Sequence, residues 1–101
     1  MDALRGTDDA GRLADPLSPE NLRTLLRQAQ AFVLVEAPDG ASARAERVGA
    51  ERWSVLLRPA ASAAGRAAEV PNTDAAFDLL RSWAADDGWW AEAFRWRPAA
   101  E

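Results

Sequence analysis

The chain has 101 residues, of which 49% are apolar and 28% are charged, and its formal net charge is −4. This length and composition predict one soluble domain with a single hydrophobic core. Cysteine, histidine, lysine and tyrosine do not occur in the sequence. Disulfides and thiolate metal sites are therefore excluded, and the commonest catalytic bases and nucleophiles are missing.

The first 17 residues mix glycine, aspartate, threonine and proline without periodicity. We predict that residues 1–17 form a flexible N-terminal arm. They contain no basic start followed by an apolar run, and no segment of the chain reaches the roughly 18 apolar residues of a membrane span. We therefore expect neither a signal peptide nor a membrane contact, and a cytoplasmic location.

The first helix is predicted within residues 17–32. Ser18 is suited to cap it, and Pro19 is suited to its first position. Apolar residues recur at helical spacing and predict one buried face; these are Leu22, Leu25, Leu26 and Ala29.

Three strands are predicted next, at residues 31–37, 41–48 and 51–59, with turns at residues 38–40 and at Gly49. The third strand alternates, which predicts two faces of different character. One face carries Trp53, Val55 and Leu57, and the other carries Arg52, Ser54, Leu56 and Arg58.

A loop is predicted at residues 60–68 and a second helix at residues 72–88, capped by Asn72 or Thr73. Residues 89–97 fit either a short helix or a strand. The flanking Gly88 and Pro98 and the aromatic enrichment favour the strand.

These elements predict an α+β fold in the order α-β-β-β-α-β, with both helices on one face of an antiparallel sheet. The single domain is predicted to span residues 18–98, followed by a tail at residues 99–101. The expected core combines aromatic and aliphatic side chains, namely Trp53, Phe77, Leu80, Trp83, Phe94 and Trp96.

The adjacent Trp89 and Trp90 give the best functional signal in the sequence. Neighbouring strand residues point to opposite faces, so one of the two rings is expected to remain partly exposed. Tryptophan and arginine are enriched at binding hot spots. The predicted partner-binding site consists of Trp89, Trp90, Arg95, Arg97, Arg52 and Arg58.

We therefore predict a non-catalytic protein-interaction module, such as a regulatory adaptor or an immunity-like binding protein. Its partner is another protein or a second copy of the chain, since the net acidity disfavours nucleic acid. One alternative is a homodimeric structural protein.

A second alternative is a carboxylate-dependent sugar-binding or hydrolytic protein that uses Asp86 and Asp87. The competing interpretation of this pair is a solvated helix end before Gly88. The acidic residues lack the spacing of a calcium loop, and no nucleotide-binding motif occurs. We predict no catalytic residue, no metal and no cofactor.

The C-terminal quarter, LLRSWAADDGWWAEAFRW, resembles the ending of a group of small actinobacterial proteins. In those proteins an amphipathic helix closes on a Trp-Ala pair and is followed by a Trp and a terminal Phe-x-Trp. The matching positions here are Trp83, Ala84, Gly88, Trp89 or Trp90, Phe94 and Trp96. The resemblance covers about 25 residues of the C-terminal quarter and implies no catalytic residue and no activity.

Overall fold

The structure, a computed structural model, describes residues 4–58, 65–85 and 87–98. Its strands within these ranges are β1 (Arg5–Asp8), β2 (Leu13–Ala14), β3 (Phe32–Glu36), β4 (Ser42–Arg47), β5 (Trp53–Arg58), β6 (Arg66–Val70) and β7 (Arg97–Pro98). The helices are α1 (Pro19–Gln28), α2 (Thr73–Ala85) and α3 (Trp89–Ala93). All strand pairs are antiparallel, in the sheet order β2-β1-β3-β4-β5-β6-β7. The predicted α+β class is confirmed, while the observed order has additional strands before α1 and after β5.

Helix α1 forms where its capping signals predicted it. Ser18 accepts a hydrogen bond from the backbone N–H of Asn21 at 3.1 Å, and Pro19 occupies the first turn. The helical spacing of the leucines places Leu22, Leu25 and Leu26 in the interior. Ala29, at the C-cap, is also buried.

The core follows from alternation along the central strands. Every second residue of β3, β4 and β5 is buried, whereas the intervening residues are half-buried or exposed. The buried strand residues share one hydrophobic cluster with leucines of α1 and α2. The strand members of this cluster are Val33, Val35, Ala43, Ala45, Trp53, Val55 and Leu57, together with Val70 of β6.

The expectation of an N-terminal arm outside the domain is wrong for residues 4–17. Strand β1 pairs with β3, and Leu4 and Leu17 belong to the core cluster. Asp8 is buried, and its Oδ2 lies 2.8 Å from Arg12 Nε. Asp9 Oδ1 accepts hydrogen bonds from the backbone of residues 30–32. These contacts join the β1–β2 hairpin to a part of the chain more than 20 residues away.

Arg47, at the end of β4, points toward the core and binds the C-terminal end of helix α1. Its guanidinium lies 4.5 Å from the centroid of the Trp53 ring. It also donates hydrogen bonds to the carbonyl oxygens of Leu26 at 3.4 Å and Ala29 at 3.3 Å. Carbonyl groups at a helix C-terminus lack partners within the helix, so a cation here satisfies them and interacts favourably with the helix dipole.

The predicted loop at residues 60–68 is wrong at residues 66–68, which belong to strand β6 and pair with β5. Residues 60–64 lie outside the described part of the chain, as does the predicted tail at residues 99–101.

Helix α2 is confirmed, and Asn72 caps it by accepting a hydrogen bond from the N–H of Ala75 at 2.7 Å. Of the six predicted core residues, three are buried and three are half-buried against the core cluster. The buried ones are Trp53, Phe77 and Leu80, and the half-buried ones are Trp83, Phe94 and Trp96.

The predicted strand at residues 89–97 is wrong over most of its length. Residues 89–93 form the short helix α3, and only Arg97 and Pro98 pair with the sheet. Gly88, at φ 81°, turns the chain between α2 and α3 in a conformation that favours glycine. The backbone N–H of Trp90 donates to Ser82 Oγ at 3.0 Å, which anchors α3 on α2.

Candidate functional site

The strand residues that alternate with the core residues form the second side of the sheet, which we call the outer face. The strand register aligns six of its side chains in one row across the sheet, namely Thr7, Leu34, Arg44, Leu56, Ala67 and Arg97. Leu34 and Leu56 are half-buried, whereas Arg44 and Arg97 are exposed. Along this row, Arg44 and Arg97 therefore stand on either side of the apolar pair Leu56 and Ala67.

A depression of about 310 Å³ lies on the outer face between β4 and β7. Leu56 and Ala67 supply its apolar lining, and charged groups stand at both sides. The complete lining consists of Arg44, Glu46, Ser54, Leu56, Ala67, Arg97 and Pro98. Binding sites for peptides and small molecules commonly combine an apolar floor with a few polar groups in this way.

The two arginines of this depression differ in how much they are already engaged. The Arg44 guanidinium lies 4.4 Å from the centroid of the Phe32 ring, and its Nε lies 3.6 Å from Glu46 Oε2. Arg97 is exposed on the edge strand β7, and no ion pair of Arg97 occurs within the described residues. Arg97 is therefore the cation with the most capacity for an external anion.

Trp89 is 46% exposed, but it lies away from the outer face. It begins α3, and its ring meets Phe94 edge to face at a centroid distance of 5.7 Å. It borders a separate depression of about 300 Å³ whose other lining residues are Asp78, Arg81, Ser82 and Asp87. Its partial exposure results from its position on a short helix and not from the alternation of a strand.

Trp90 packs against the core cluster and is half-buried. Its ring meets Trp96 edge to face at 5.6 Å, and the Trp96 indole N–H donates to the Trp90 carbonyl oxygen at 2.8 Å. The Trp90 Nε1 atom is buried without a hydrogen-bond partner within the described residues. Trp90 thus fixes α3 on the domain, and Trp89 is the more accessible ring.

The structure does not assemble the predicted site into one patch. Arg97 lies in the depression on the outer face, and Arg58 ends β5 in the neighbouring row beside Ser42. Arg52 precedes β5 in an exposed turn, and Arg95 is exposed between α3 and β7.

The depression also includes residues that the predicted site left out, above all Arg44, Leu56 and Ala67. The alternation of charged and small residues in β4 signals that Arg44 faces away from the core. The residues that it meets on β5 and β6 depend on register, which no local pattern contains.

Asp87 has a structural role at the α2–α3 junction. Its Oδ1 accepts hydrogen bonds from the Ser82 hydroxyl and, at 3.0 Å, from the backbone N–H of Trp89. The Ser82 hydroxyl, followed by the Trp89 N–H, holds the pKa of Asp87 below its ordinary value of 3.8. A general acid needs the opposite shift, so this carboxylate is suited to accept hydrogen bonds. Asp86, the other member of the predicted pair, lies outside the described residues.

A third depression, of about 720 Å³, lies between strand β2 and helix α1. Its cation, Arg12, is already bound to Asp8 and donates to Gln28 Oε1 at 2.7 Å. These internal contacts engage the arginine that would otherwise recognise an anionic ligand. Within residues 4–58, 65–85 and 87–98, no three carboxylates converge on a possible metal position.

No protein-family model, curated protein or solved structure matches this chain. Across the described residues, no helix has the length and apolar character that crossing a membrane requires. Functional conclusions therefore depend on the geometry of the depression on the outer face and of the depression beside Trp89.

Proposed function

We propose that this protein is a non-catalytic interaction module that binds a protein partner through the outer face of its sheet. The observation that supports this proposal is the row Leu34–Arg44–Leu56–Ala67–Arg97, in which two arginines flank the apolar Leu56 and Ala67 at a depression. Arginine beside apolar surface is typical of the residues that dominate binding energy at protein interfaces.

Charge distribution supports an acidic partner. The outer face carries Arg5, Arg44, Arg58 and Arg97 against Glu36, Glu46 and Glu69, which leaves one positive charge. Since the whole chain has a net charge of −4, the remaining residues together carry −5. The outer face is therefore the basic side of an acidic protein, and complementary charge would speed and orient the encounter with an acidic surface.

A second copy of the chain is the alternative occupant of this face, since a two-fold axis would bring the arginines of one copy opposite the glutamates of the other as readily as opposite its arginines. Because the face has a net positive charge, two copies would repel each other weakly, which favours an acidic protein over a second copy. The absence of cysteine is compatible with the reducing cytoplasm in which we propose that the module acts.

The test compares two arginines with opposite expected outcomes. Arg97→Glu reverses the charge inside the depression, and Arg52→Glu makes the same charge change in an exposed turn outside it. A partner is captured from cell extract with the unaltered protein, purified, and titrated against all three proteins.

We expect Arg97→Glu to weaken the dissociation constant by about 30-fold or more, the equivalent of losing a binding hot spot of about 2 kcal/mol. Arg52→Glu is expected to bind within about threefold of the unaltered protein, as rim charges usually do. Equal binding by Arg97→Glu and the unaltered protein would refute the outer face as the interface. A dimer that dissociates in Arg97→Glu would favour self-association instead.

A further inference from the structure

A second depression, of about 300 Å³, lies beside α3 and is lined by Asp78, Arg81, Ser82, Asp87 and Trp89. We propose that this depression binds one neutral sugar ring, with the Trp89 indole as its stacking surface. The site lies on α2 and α3, so it does not rest on the outer face or on the function proposed for it.

The aromatic wall of this site is both accessible and held in place. Trp89 is 46% exposed although it makes an edge-to-face contact with Phe94 at 5.7 Å. Its backbone N–H donates to Asp87 Oδ1 at 3.0 Å, which positions the first residue of α3. An indole that is supported from one side and open on another offers a flat apolar surface to a ligand, at little cost in conformational freedom.

The polar wall offers both donors and acceptors of hydrogen bonds. Arg81 lies 3.7 Å from Asp78 and carries several N–H donors, while the two carboxylates are acceptors. Asp87 uses Oδ1 for both the Ser82 hydroxyl and the Trp89 N–H. An ionised carboxylate has about four lone-pair sites, so Asp87 keeps acceptor capacity after these two bonds.

The ligand class follows from this combination of groups. Two carboxylates oppose an anionic ligand, while Asp78 is already paired with Arg81 and Asp87 already accepts two hydrogen bonds, so neither carboxylate is left unengaged for a cation. A neutral ligand that both donates and accepts hydrogen bonds, and that has one apolar face, satisfies every group. A sugar ring has these properties, since its hydroxyls do both and its C–H groups pack on an indole.

The size of the depression favours a small ligand. A volume of about 300 Å³ is at the lower end of the range for ligand pockets. The site therefore suits one ring, either a free monosaccharide or the terminal unit of a longer glycan.

The test is an NMR titration of the ¹⁵N-labelled full chain with glucose, galactose, mannose and N-acetylglucosamine, each tested separately. The indole N–H signals distinguish the five tryptophans, and the Ser82 and Trp89 backbone amides report on the polar wall. Two variants accompany the unaltered protein, Trp89→Ser in the depression and Arg97→Ala on the outer face.

We expect at least one sugar to shift the Trp89 indole and the Ser82 amide in a saturable manner. In Trp89→Ser, affinity measured at the Ser82 amide should fall by about tenfold or more, the loss expected when an aromatic contact is removed. Because Trp89 is 46% exposed and lies outside the core cluster, dispersed spectra of this variant should show that it remains folded. Arg97→Ala should bind the sugar with unchanged affinity.

The proposal is overturned if none of the four sugars produces a saturable shift at Trp89. It is also overturned if folded Trp89→Ser binds as tightly as the unaltered protein. Loss of partner binding in Arg97→Glu with intact sugar binding would leave this proposal and the outer-face proposal both standing. Intact sugar binding without any effect of Arg97→Glu on the partner would remove only the outer-face proposal.

Discussion

Replacing Arg47 tests whether an inward-facing arginine joins β4, β5 and helix α1. In the folded protein, its guanidinium lies over Trp53 at 4.5 Å and donates to the carbonyl oxygens of Leu26 and Ala29. Each hydrogen bond to a charged group contributes about 1.5 kcal/mol, and a partly buried cation–π contact contributes about 1 kcal/mol. Because these contributions share one side chain and overlap, we expect Arg47→Ala to lower the free energy of unfolding by about 3 kcal/mol.

Two further variants separate the possible causes of this loss. Arg47→Lys keeps the charge but lacks the forked guanidinium, so it should lose about half as much. Arg44→Ala removes an arginine from the same strand, where the side chain is 45% exposed on the outer face. Its ion pair with Glu46 and its contact with Phe32 are exposed to water, so the expected loss is about 1 kcal/mol or less.

The measurement is urea unfolding followed by tryptophan fluorescence, with the midpoint and slope determined for each variant. A loss in Arg47→Ala that equals the loss in Arg44→Ala would refute the capping role of Arg47. A larger loss with an unchanged slope would support it.

Three other predictions concern the core and the hairpin. A Cβ at Gly6 would stand 2.9 Å from Leu25 Cδ1, so Gly6→Ala should destabilise by about 1–3 kcal/mol in urea unfolding; no change would contradict the packing of β1 on α1. Trp53→Ala should lower the free energy of unfolding by about 3–5 kcal/mol because the ring is fully buried. Trp83→Ala should lower it clearly less because Trp83 is half-buried; equal losses would show that the two environments do not differ. The backbone N–H of Ala31 is the main group that lowers the pKa of Asp9 below its ordinary value. The ionised Asp9 carboxylate therefore stabilises the folded state above the pKa that Asp9 has in the unfolded chain. This stabilisation is lost as the pH falls through the lower pKa that Asp9 has in the folded protein. Urea midpoints measured from pH 7 downward should therefore fall less below about pH 4 in Asp9→Asn than in the unaltered protein, and parallel curves would refute this.

Local patterns predicted the elements whose structure depends on near neighbours. Helix α1 has a serine cap, a proline in its first turn and leucines at helical spacing, all within ten residues of one another. The alternation of Trp53, Val55 and Leu57 likewise predicted the buried side of β5, and this is confirmed. In both cases the spacing of the apolar residues matches the period of the backbone, so the same residues predict the type of element and its buried side.

The N-terminal hairpin could not be predicted from local sequence patterns. Strand β1 has no alternation of apolar residues, and its two buried positions, the second and fourth residues of the strand, are Gly6 and Asp8. No local sequence pattern predicts that the charged Asp8 is buried, but in the fold Arg12 lies beside it and pairs with its carboxylate. Asp9 and the pairing with β3 add contacts to residues far along the chain, which are formed only when the sheet assembles.

The segment at residues 89–97 was decided by tertiary contacts as well. Its aromatic residues fit a strand or a helix almost equally, and the hydrogen bonds of Ser82 and Asp87 to α3 select the helix. A helix of five residues has too few turns to be stable by its own propensity, so its packing against α2 determines that it forms.

The candidate sites follow the same division. The sequence by itself determined that Arg44 and Leu56 face away from the core, since alternation within a strand depends only on the backbone period. Only the tertiary structure decided that Arg44, Leu56, Ala67 and Arg97 lie in one row, because strand register results from the packing of one whole face of the sheet. The tertiary structure also separated Trp89 from these arginines, since the left-handed turn at Gly88 directs α3 back onto α2 and away from the sheet row.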